Sequence, residues 1–170
     1  MTDIIIELAA LKAKEFNIKH VVVASNTGDT AKRAVGKFDN LVWVTHAFGY
    51  GKPNEFEFTK ETKDELEQKG VKVLTTSHIL SGAERGLSSR FQGYGPVEIM
   101  AHTLRMFGQG TKVAVEVAVM ALDAGLIPEN EQIIAIGGTG RGADTALILT
   151  PAHASNILKT KIHQTIIKPQ

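Results

Sequence analysis

The chain has 170 residues, of which 43% are hydrophobic and 22% charged, and its formal net charge at neutral pH is +1. This length fits one domain that buries ~70% of the surface of its unfolded chain. The small net charge gives no basic surface for nucleic acid, and the lack of cysteine excludes disulfides and thiolate chemistry. No apolar run approaches the ~20 residues of a membrane span, and no signal-peptide pattern is present. We therefore expect a soluble, cytoplasmic domain with neither nucleic acid nor a membrane as partner.

Hydrophobic periodicity predicts helices that alternate with short strands through the first 136 residues. In the first helix, residues 3–16, the spacing of Ile4, Leu8 and Leu11 predicts one buried face. The other predicted helices are 29–38, 60–69, 96–107 and 112–124, and the predicted strands are 21–25, 41–45, 71–75, 133–136 and 145–150. In 112–124 the valines alternate as in a strand, but the alanines between them and the terminal Gly125 favour a buried helix.

Two further segments have weaker patterns. Residues 77–95 contain four glycines and are longer than a connector needs to be, so they are predicted as a functional or mobile loop. The tail from residue 151 to 170 ends in 164–168, which is predicted to pair as an edge strand. Alternating strands and helices imply right-handed crossovers and a parallel sheet covered on both faces. The predicted fold is a single three-layer α/β/α domain over residues 1–170, mostly parallel, with an antiparallel edge near the C-terminus.

The first strand runs into a loop of small polar residues, Ser25-Asn26-Thr27-Gly28-Asp29-Thr30. Backbone N–H groups and hydroxyls in such a loop suit phosphate oxygens, and the helix that follows adds the positive end of its dipole. The Gly-Lys-Ser/Thr ending of a Walker A loop is missing, so nucleoside triphosphate hydrolysis is disfavoured. The alternative is a capping loop, in which Thr27 or Asp29 only caps the helix. Phosphate binding requires that the Asp29 carboxylate points away.

The fourth strand runs into a second loop, Gly137-Gly138-Thr139-Gly140-Arg141-Gly142. The Gly-x-Gly-x-x-Ala spacing matches a dinucleotide fingerprint, but a β-like segment and Pro151 follow instead of a helix and an acidic residue. We therefore interpret the loop as a hairpin arm that approaches a ligand closely. Arg141 is either an anion clamp or a solvated loop charge. Because ligands of parallel sheets bind at the carboxyl ends of strands, both loops are expected at one edge, together with Thr45 and His46.

Other polar residues have less specific patterns. A general acid or base could be present among His78, Glu84, Arg85 and Arg90, but no spacing distinguishes one of them, so catalytic residues stay unassigned. The remaining histidines lie on different elements, so no metal site is expected. Glu116 lies in the Val/Ala-rich helix, where a buried carboxylate needs a partner, either a lysine or a neighbouring backbone group.

Read in order, these segments resemble the C-terminal domain of pyruvate kinase. The resemblance includes the Ser/Thr-Gly loop, the buried helix, Gly125-Leu126-Ile127-Pro128-Glu129-Asn130 and the glycine-rich arm. The whole chain is still more similar to a stand-alone, archaeal-type family of that domain, through residues 81–86, 137–145 and 166–169. The barrel that carries pyruvate kinase chemistry is absent from this sequence, so the resemblance implies no kinase activity.

The archaeal-type resemblance implies flavin mononucleotide (FMN) as the ligand, with no agreed reaction. The pyruvate kinase resemblance implies that Ser25, Thr27, Gly28 and Thr30 bind a phosphate, with the arm at 138–142 closing over the ligand. Contacts to the ring or ribityl chain are expected from Thr45, His46 and the arm residues. The candidate cofactor-binding residues are Ser25, Asn26, Thr27, Gly28, Thr30, Thr45, His46, Ser81, Gly138, Thr139, Gly140, Arg141 and Gly142.

Binding energies favour a ligand with an apolar body. Four charge-assisted hydrogen bonds contribute roughly 6–12 kcal/mol, while association and ordering cost ~4–15 kcal/mol, so phosphate alone would bind weakly. Three alternatives stay open. They are a flavin-dependent oxidoreductase, an effector domain for a sugar phosphate or nucleotide, and an assembly unit without a ligand. The sequence does not decide whether the chain forms a homo-oligomer.

Overall fold

The computed structural model describes residues 1–169. Its helices are α1 (Thr2–Glu15), α2 (Asp29–Ala34), α3 (Lys60–Gln68), α4 (Gly82–Phe91), α5 (Pro96–Arg105) and α6 (Gln109–Asp123), with a 3-10 helix at Ala154–Lys159. Its strands are β1 (His20–Ala24), β2 (Asn40–Val44), β3 (Lys72–Leu74), β4 (Ile133–Gly137), β5 (Thr145–Thr150) and β6 (Lys161–Ile167).

The six strands form one sheet in the order β3-β2-β1-β4-β5-β6. Strands β3, β2, β1 and β4 are parallel, and Val22 of β1 lies between Val42 of β2 and Ala135 of β4. Strands β5 and β6 complete the sheet in antiparallel orientation. The predicted three-layer fold, mostly parallel with an antiparallel C-terminal edge, is confirmed. Strands β2 and β3 are added in sequence order on one side of β1, and β4 pairs with β1 on its other side.

The core has two halves, one on each face of the sheet. Val21 and Val23 of β1 point to the half that includes Ile5, Ile6 and Trp43. The side chain between them, Val22, points to the half formed with α6. Because both faces are covered, the central strands are apolar at nearly every position instead of alternating.

The first helix is correctly predicted, but its predicted buried face is wrong. Ile4 and Leu11 are 56% and 63% exposed, whereas Ile5, Ile6 and Ala9 are buried. The rest of the buried side consists of Ala10 and Ala13, small residues that the spacing of the large side chains does not reveal. The second helix is also shorter than predicted. It ends at Ala34, before Gly36, whose φ of 75° is left-handed.

The prediction of a loop over residues 77–95 is wrong, because Gly82–Phe91 forms helix α4. None of its residues is buried, so its sequence has no apolar stripe for periodicity to detect. The helix predicted over 112–124 is confirmed as α6, with a start at Gln109 and burial on most sides. The predicted C-terminal edge strand is confirmed as β6, which begins three residues earlier than expected.

Two glycines set the distance between α6 and the sheet. A Cβ atom on Gly137, at the end of β4, would overlap the carbonyl oxygen of Gly110 and lie 2.9 Å from the amide nitrogen of Ala114. Gly110 itself has no room for a Cβ, because the side chains of Asp144 and Thr145 occupy that space. The N-terminal turn of α6 is therefore held against the carboxyl edge of the sheet.

We expect Gly137→Ala to lower the free energy of unfolding by about 1–3 kcal/mol, because the backbone atoms it meets cannot move aside independently. The matched control is Gly86→Ala, a helical position with no other group within 4 Å of the added Cβ. That change should stabilise by about 0.4–1 kcal/mol. Urea unfolding measures both values, and wild-type stability for Gly137→Ala would contradict the account.

Candidate functional site

A cleft of about 540 Å³ opens at the carboxyl edge of the sheet. Both glycine-containing loops line it, because β1 and β4 are neighbours and the two loops follow these strands. The structure brings twelve of the thirteen candidate residues to this cleft: Ser25, Asn26, Thr27, Thr30, Thr45, His46, Ser81, Gly138, Thr139, Gly140, Arg141 and Gly142. Gly28 is the exception. A Cβ there would lie 2.8 Å from Thr62 and 3.1 Å from the Trp43 ring, away from the cleft.

The first loop is held in place by Trp43 and by its own hydroxyl. The Trp43 indole donates a hydrogen bond of 2.5 Å to the Ser25 carbonyl, and the Thr30 N–H donates to Ser25 Oγ at 3.2 Å. Gly28 has a φ of 88°, which turns the chain into α2. The Ser25 hydroxyl keeps its own proton and can still donate it to a ligand.

The Asp29 carboxylate lines the cleft and is paired with Arg33. Arg33 Nε donates to it at 3.2 Å, one helical turn away, and Arg33 also pairs with Asp3 at 3.0 Å. Helix α2 has no side-chain capping bond from Thr27 or Asp29, so the alternative in which one of them only caps the helix is wrong. Arg33 shares its single positive charge between Asp29 and Asp3, so it compensates the Asp29 charge only in part.

The second loop is a hairpin arm between β4 and β5, as predicted, and Asp144 organises it. The Thr139 N–H donates to one Asp144 oxygen at 2.8 Å, and the Thr145 hydroxyl donates to the other at 2.6 Å. A Cβ on Gly138 would overlap the carbonyl oxygen of Gly142. The Thr139 N–H already donates to Asp144, so it is not available to a ligand. The arm therefore contributes the side chain of Arg141 to ligand binding more than its backbone N–H groups.

The floor of the cleft contains a buried ion pair on α6. Lys112 and Glu116 are 5% and 3% exposed, and the Lys112 ammonium donates to Glu116 Oε2. The Leu80 N–H donates to the other carboxylate oxygen at 2.8 Å. Glu116 therefore has both kinds of partner considered from the sequence, a lysine and a backbone amide. The i, i+4 spacing of Lys112 and Glu116 in an apolar helix was a signal that could have identified the pair.

Four cationic side chains from four different elements line the cleft. They are Arg85 on α4, Arg105 on α5, Lys112 on α6 and Arg141 on the arm. Arg105 Nε is oriented by a 2.7 Å bond to Gln109. The two acidic residues in the lining, Asp29 and Glu116, are each paired with a cation. Sequence reasoning missed Arg105 and Lys112, because only the sheet order brings α5 and α6 to this edge.

An aromatic cluster forms the far end of the cleft. The ring centroids of His46 and Tyr50 are 3.9 Å apart, and those of His46 and His78 are 5.4 Å apart. The Thr45 hydroxyl is not free for a ligand, because it lies 2.7 Å from the Thr75 hydroxyl and 2.7 Å from the His46 carbonyl. Burial lowers the pKa of His78, against the opposing charge of Glu116 and a 3.4 Å contact with the Thr45 carbonyl.

A profile of the family described as the pyruvate kinase alpha/beta domain matches residues 3–149. The chain belongs to this family. The matched region runs from α1 through nearly all of β5 and so includes every segment that lines the cleft.

Solved structures of pyruvate kinase from Cryptosporidium parvum are among those similar to this chain. One has a TM-score of 0.43 at 14% identity, over 86% of this chain and 22% of that chain. A second, in complex with ADP, has a TM-score of 0.42 at 14% identity, over 97% of this chain and 23% of that chain. The present chain therefore spans less than a quarter of the length of these pyruvate kinases.

Two kinds of feature are missing from residues 1–169. No helix in this range has the length and apolar character needed to cross a membrane. The same residues contain no group of three histidine or acidic side chains arranged to hold a metal ion.

Burial of the Lys112–Glu116 pair makes it sensitive to loss of one partner. We expect Lys112→Met to lower the free energy of unfolding by about 3–5 kcal/mol, because Glu116 would be left as an uncompensated buried charge. The double variant Lys112→Met/Glu116→Gln should recover much of this loss, since the introduced amide is uncharged and its oxygen can still accept from the Leu80 N–H. Denaturant unfolding measures both, and equal stability of the two variants would contradict the interpretation.

The lowered pKa of His78 predicts a pH dependence of stability. Below the ordinary value of 6.5 the unfolded chain binds a proton at this position before the folded one does, so the free energy of unfolding falls as pH falls towards the folded pKa. His78→Gln should reduce this acid loss. Burial also lowers the pKa of His20, at the opposite edge of the sheet. His20→Gln should therefore remove a separate contribution to the acid loss of stability, additive to that of His78. An unchanged acid dependence in His78→Gln, measured by unfolding at several pH values, would refute this.

Proposed function

We propose that the cleft binds a phosphorylated small molecule and that this molecule is FMN. The observation that carries the proposal is the convergence of two polar loops and four cationic side chains, from different parts of the chain, on one cleft of about 540 Å³. This volume lies in the range of ~300–1,000 Å³ that is typical of small-molecule sites. Lys112 is paired with Glu116, whereas Arg85, Arg105 and Arg141 form no salt bridge with the described residues. Cations that line a cavity repel one another unless an anion is bound.

The two ends of the cleft differ in a way that suits the two ends of FMN. Near α2, the hydroxyls of Ser25, Thr27 and Thr30 and the guanidinium of Arg141 suit a phosphate dianion. At the other end, the rings of His46, Tyr50 and His78 provide the flat surfaces against which a heteroaromatic ring can pack. The α2 dipole adds little to this proposal, because the helix has only six residues.

The identity of the ligand rests on the resemblance to the archaeal-type family, for which FMN is implied. The motifs that carry this resemblance include Ser81, at the N-terminus of α4, and the arm at 138–142, and both line the cleft. Binding without a reaction is the simplest form of the proposal. If the bound flavin is bleached by NADH or NADPH, the protein is instead a flavin-dependent oxidoreductase.

A second candidate ligand is a sugar phosphate. The observation that favours it is the polar lining of the cleft, in which the apolar contribution is mainly Ala24, Val44, Val113 and Val117. A sugar phosphate would exchange ring packing for more hydrogen bonds. In that case the protein would act as an effector-binding domain.

The binding test compares FMN with riboflavin, which differs only in lacking the phosphate. By isothermal titration we expect FMN to bind at least about tenfold more tightly than riboflavin, and Arg141→Gln to weaken FMN binding by about 10–150-fold, the value of a hydrogen bond to a charged group. Riboflavin binding should not respond to Arg141→Gln. The control is Lys159→Gln, which removes an exposed cation from the 3-10 helix.

Equal affinity for FMN and riboflavin would contradict phosphate recognition by this cleft. Binding of neither flavin, together with thermal stabilisation by fructose 1,6-bisphosphate, would replace FMN with a sugar phosphate. Absence of stabilisation by any of these compounds would overturn the proposal and favour a role in assembly.

A further inference from the structure

His46 is held between a carboxylate and the cleft. Its side chain lines the cleft, and its Nδ1 is hydrogen-bonded to Glu57 Oε2. Glu57 itself is not part of the lining, so it stands behind the imidazole. The remaining ring nitrogen, Nε2, has no hydrogen-bond partner among the described residues. Sequence reasoning placed His46 near the ring of the ligand but assigned nothing to Glu57.

The position of Glu57 is fixed by packing of the segment between β2 and α3. Aromatic rings connect this segment to the core in sequence, with centroid separations of 4.6 Å for Phe48 and Phe56, 4.8 Å for Phe56 and Phe58, and 5.0 Å for Phe58 and Trp43. The Gly49 N–H donates to the Glu55 carbonyl at 3.0 Å, which closes the loop. Glu57 is itself exposed, but the segment that carries it is connected to the core through the contact of Phe58 with Trp43.

A carboxylate bonded to Nδ1 has two chemical effects on an imidazole. It selects the tautomer in which Nδ1 carries the proton, so the lone pair of Nε2 is free. It also stabilises the imidazolium that forms when Nε2 accepts a proton. The other groups that face His46 are Tyr50, which packs against its ring, and His78, whose neighbours in turn are Glu116 and Lys112.

We propose that His46 is an acid–base residue of this cleft and that Glu57 is its positioning residue. The inference rests on the proposed function, since it takes the substrate class to be a phosphorylated molecule whose ring or head group carries an ionisable N–H or O–H. In the step, that N–H or O–H bond breaks, the proton moves to His46 Nε2 and the electron pair stays on the ligand atom. The reverse step returns the proton.

A His46–Glu57 hydrogen bond with a purely structural role would also stabilise the loop. The test must therefore measure a property of the imidazole itself, in addition to folding. Two-bond ¹H–¹⁵N NMR of ¹⁵N-histidine-labelled protein reports the tautomer at slightly alkaline pH, with His46 assigned through His46→Gln. We expect the Nδ1–H form, the opposite of the preference of free histidine. An Nε2–H form would overturn the proposal, because Nε2 would then have no lone pair to accept a proton.

Carbethoxylation by diethyl pyrocarbonate, mapped by peptide mass spectrometry, tests reactivity and ligand contact. The Nε2 lone pair forms a bond to the reagent carbonyl, and ethanol and CO₂ leave. We expect His46 to react faster than His102, an exposed residue on α5, although the His46 side chain is only 24% exposed. Glu57→Gln should slow His46 on the order of tenfold, the loss of one charge-assisted hydrogen bond. Saturating FMN should protect His46 and leave His102 unchanged.

The acid–base role of His46 and the binding of FMN can fail independently. If FMN binds in titration but does not protect His46, the acid–base role is wrong while FMN binding stands. If FMN does not bind, the FMN assignment fails, and the tautomer and the reactivity of His46 alone decide this proposal. His46 reacting no faster than His102 overturns it in either case. If Glu57→Gln does not fold, as judged by circular dichroism, the measurements on wild-type protein still decide.

Discussion

The parallel pairing of β1 with both β2 and β4 is the constraint from which the cleft follows. The chain leaves β1 in one direction, through β2 to β3, and later returns to the other side of β1 with β4. At such a switch point the loops after the two central strands diverge, and a crevice opens between them. Residues 25–30 and 138–142 are more than a hundred positions apart in sequence and meet because of this strand order.

Helix α6 converts this crevice into a site with a charged floor. The contact of Gly110 with Gly137 lets the first turn of α6 reach the sheet edge, and the same turn presents Lys112, two residues after Gly110. Glu116 then joins α6 to the Leu80 amide, just before α4, which carries Arg85 over the cleft. A buried ion pair is expensive to form. Both residues of this pair line the cleft.

Much of the fold could be predicted, because apolar runs and glycine breaks mark short buried strands clearly. The alternation of elements gave the three layers, and the alanines of α6 distinguished a buried helix from a strand. Two errors have different causes. The orientation of α1 depends on tertiary packing, which local periodicity does not contain. Helix α4 has no buried residue at all, so there was no apolar stripe to detect.

The site could be predicted where its residues directly follow a predicted strand or belong to a continuous motif. The two loops are continuous motifs, and the structure places both at the cleft. Arg105, Lys112 and Glu57 each reach their positions through long-range packing, and a single sequence does not encode that proximity in any spacing. Asp144 was missed for a different reason. Its role is to bind the Thr139 amide and the Thr145 hydroxyl, and an aspartate after a glycine-rich loop is equally typical of a solvated turn.

The sharpest test of a ligand held by both loops is to map backbone amide shifts of ¹⁵N-labelled protein during titration with FMN. Amides in Ser25–Thr30 and in Gly138–Gly142 should shift together and saturate at one common ligand concentration. Shifts confined to one of the two loops, or centred on the separate cavity near Leu11 and Phe38, would contradict binding by both loops.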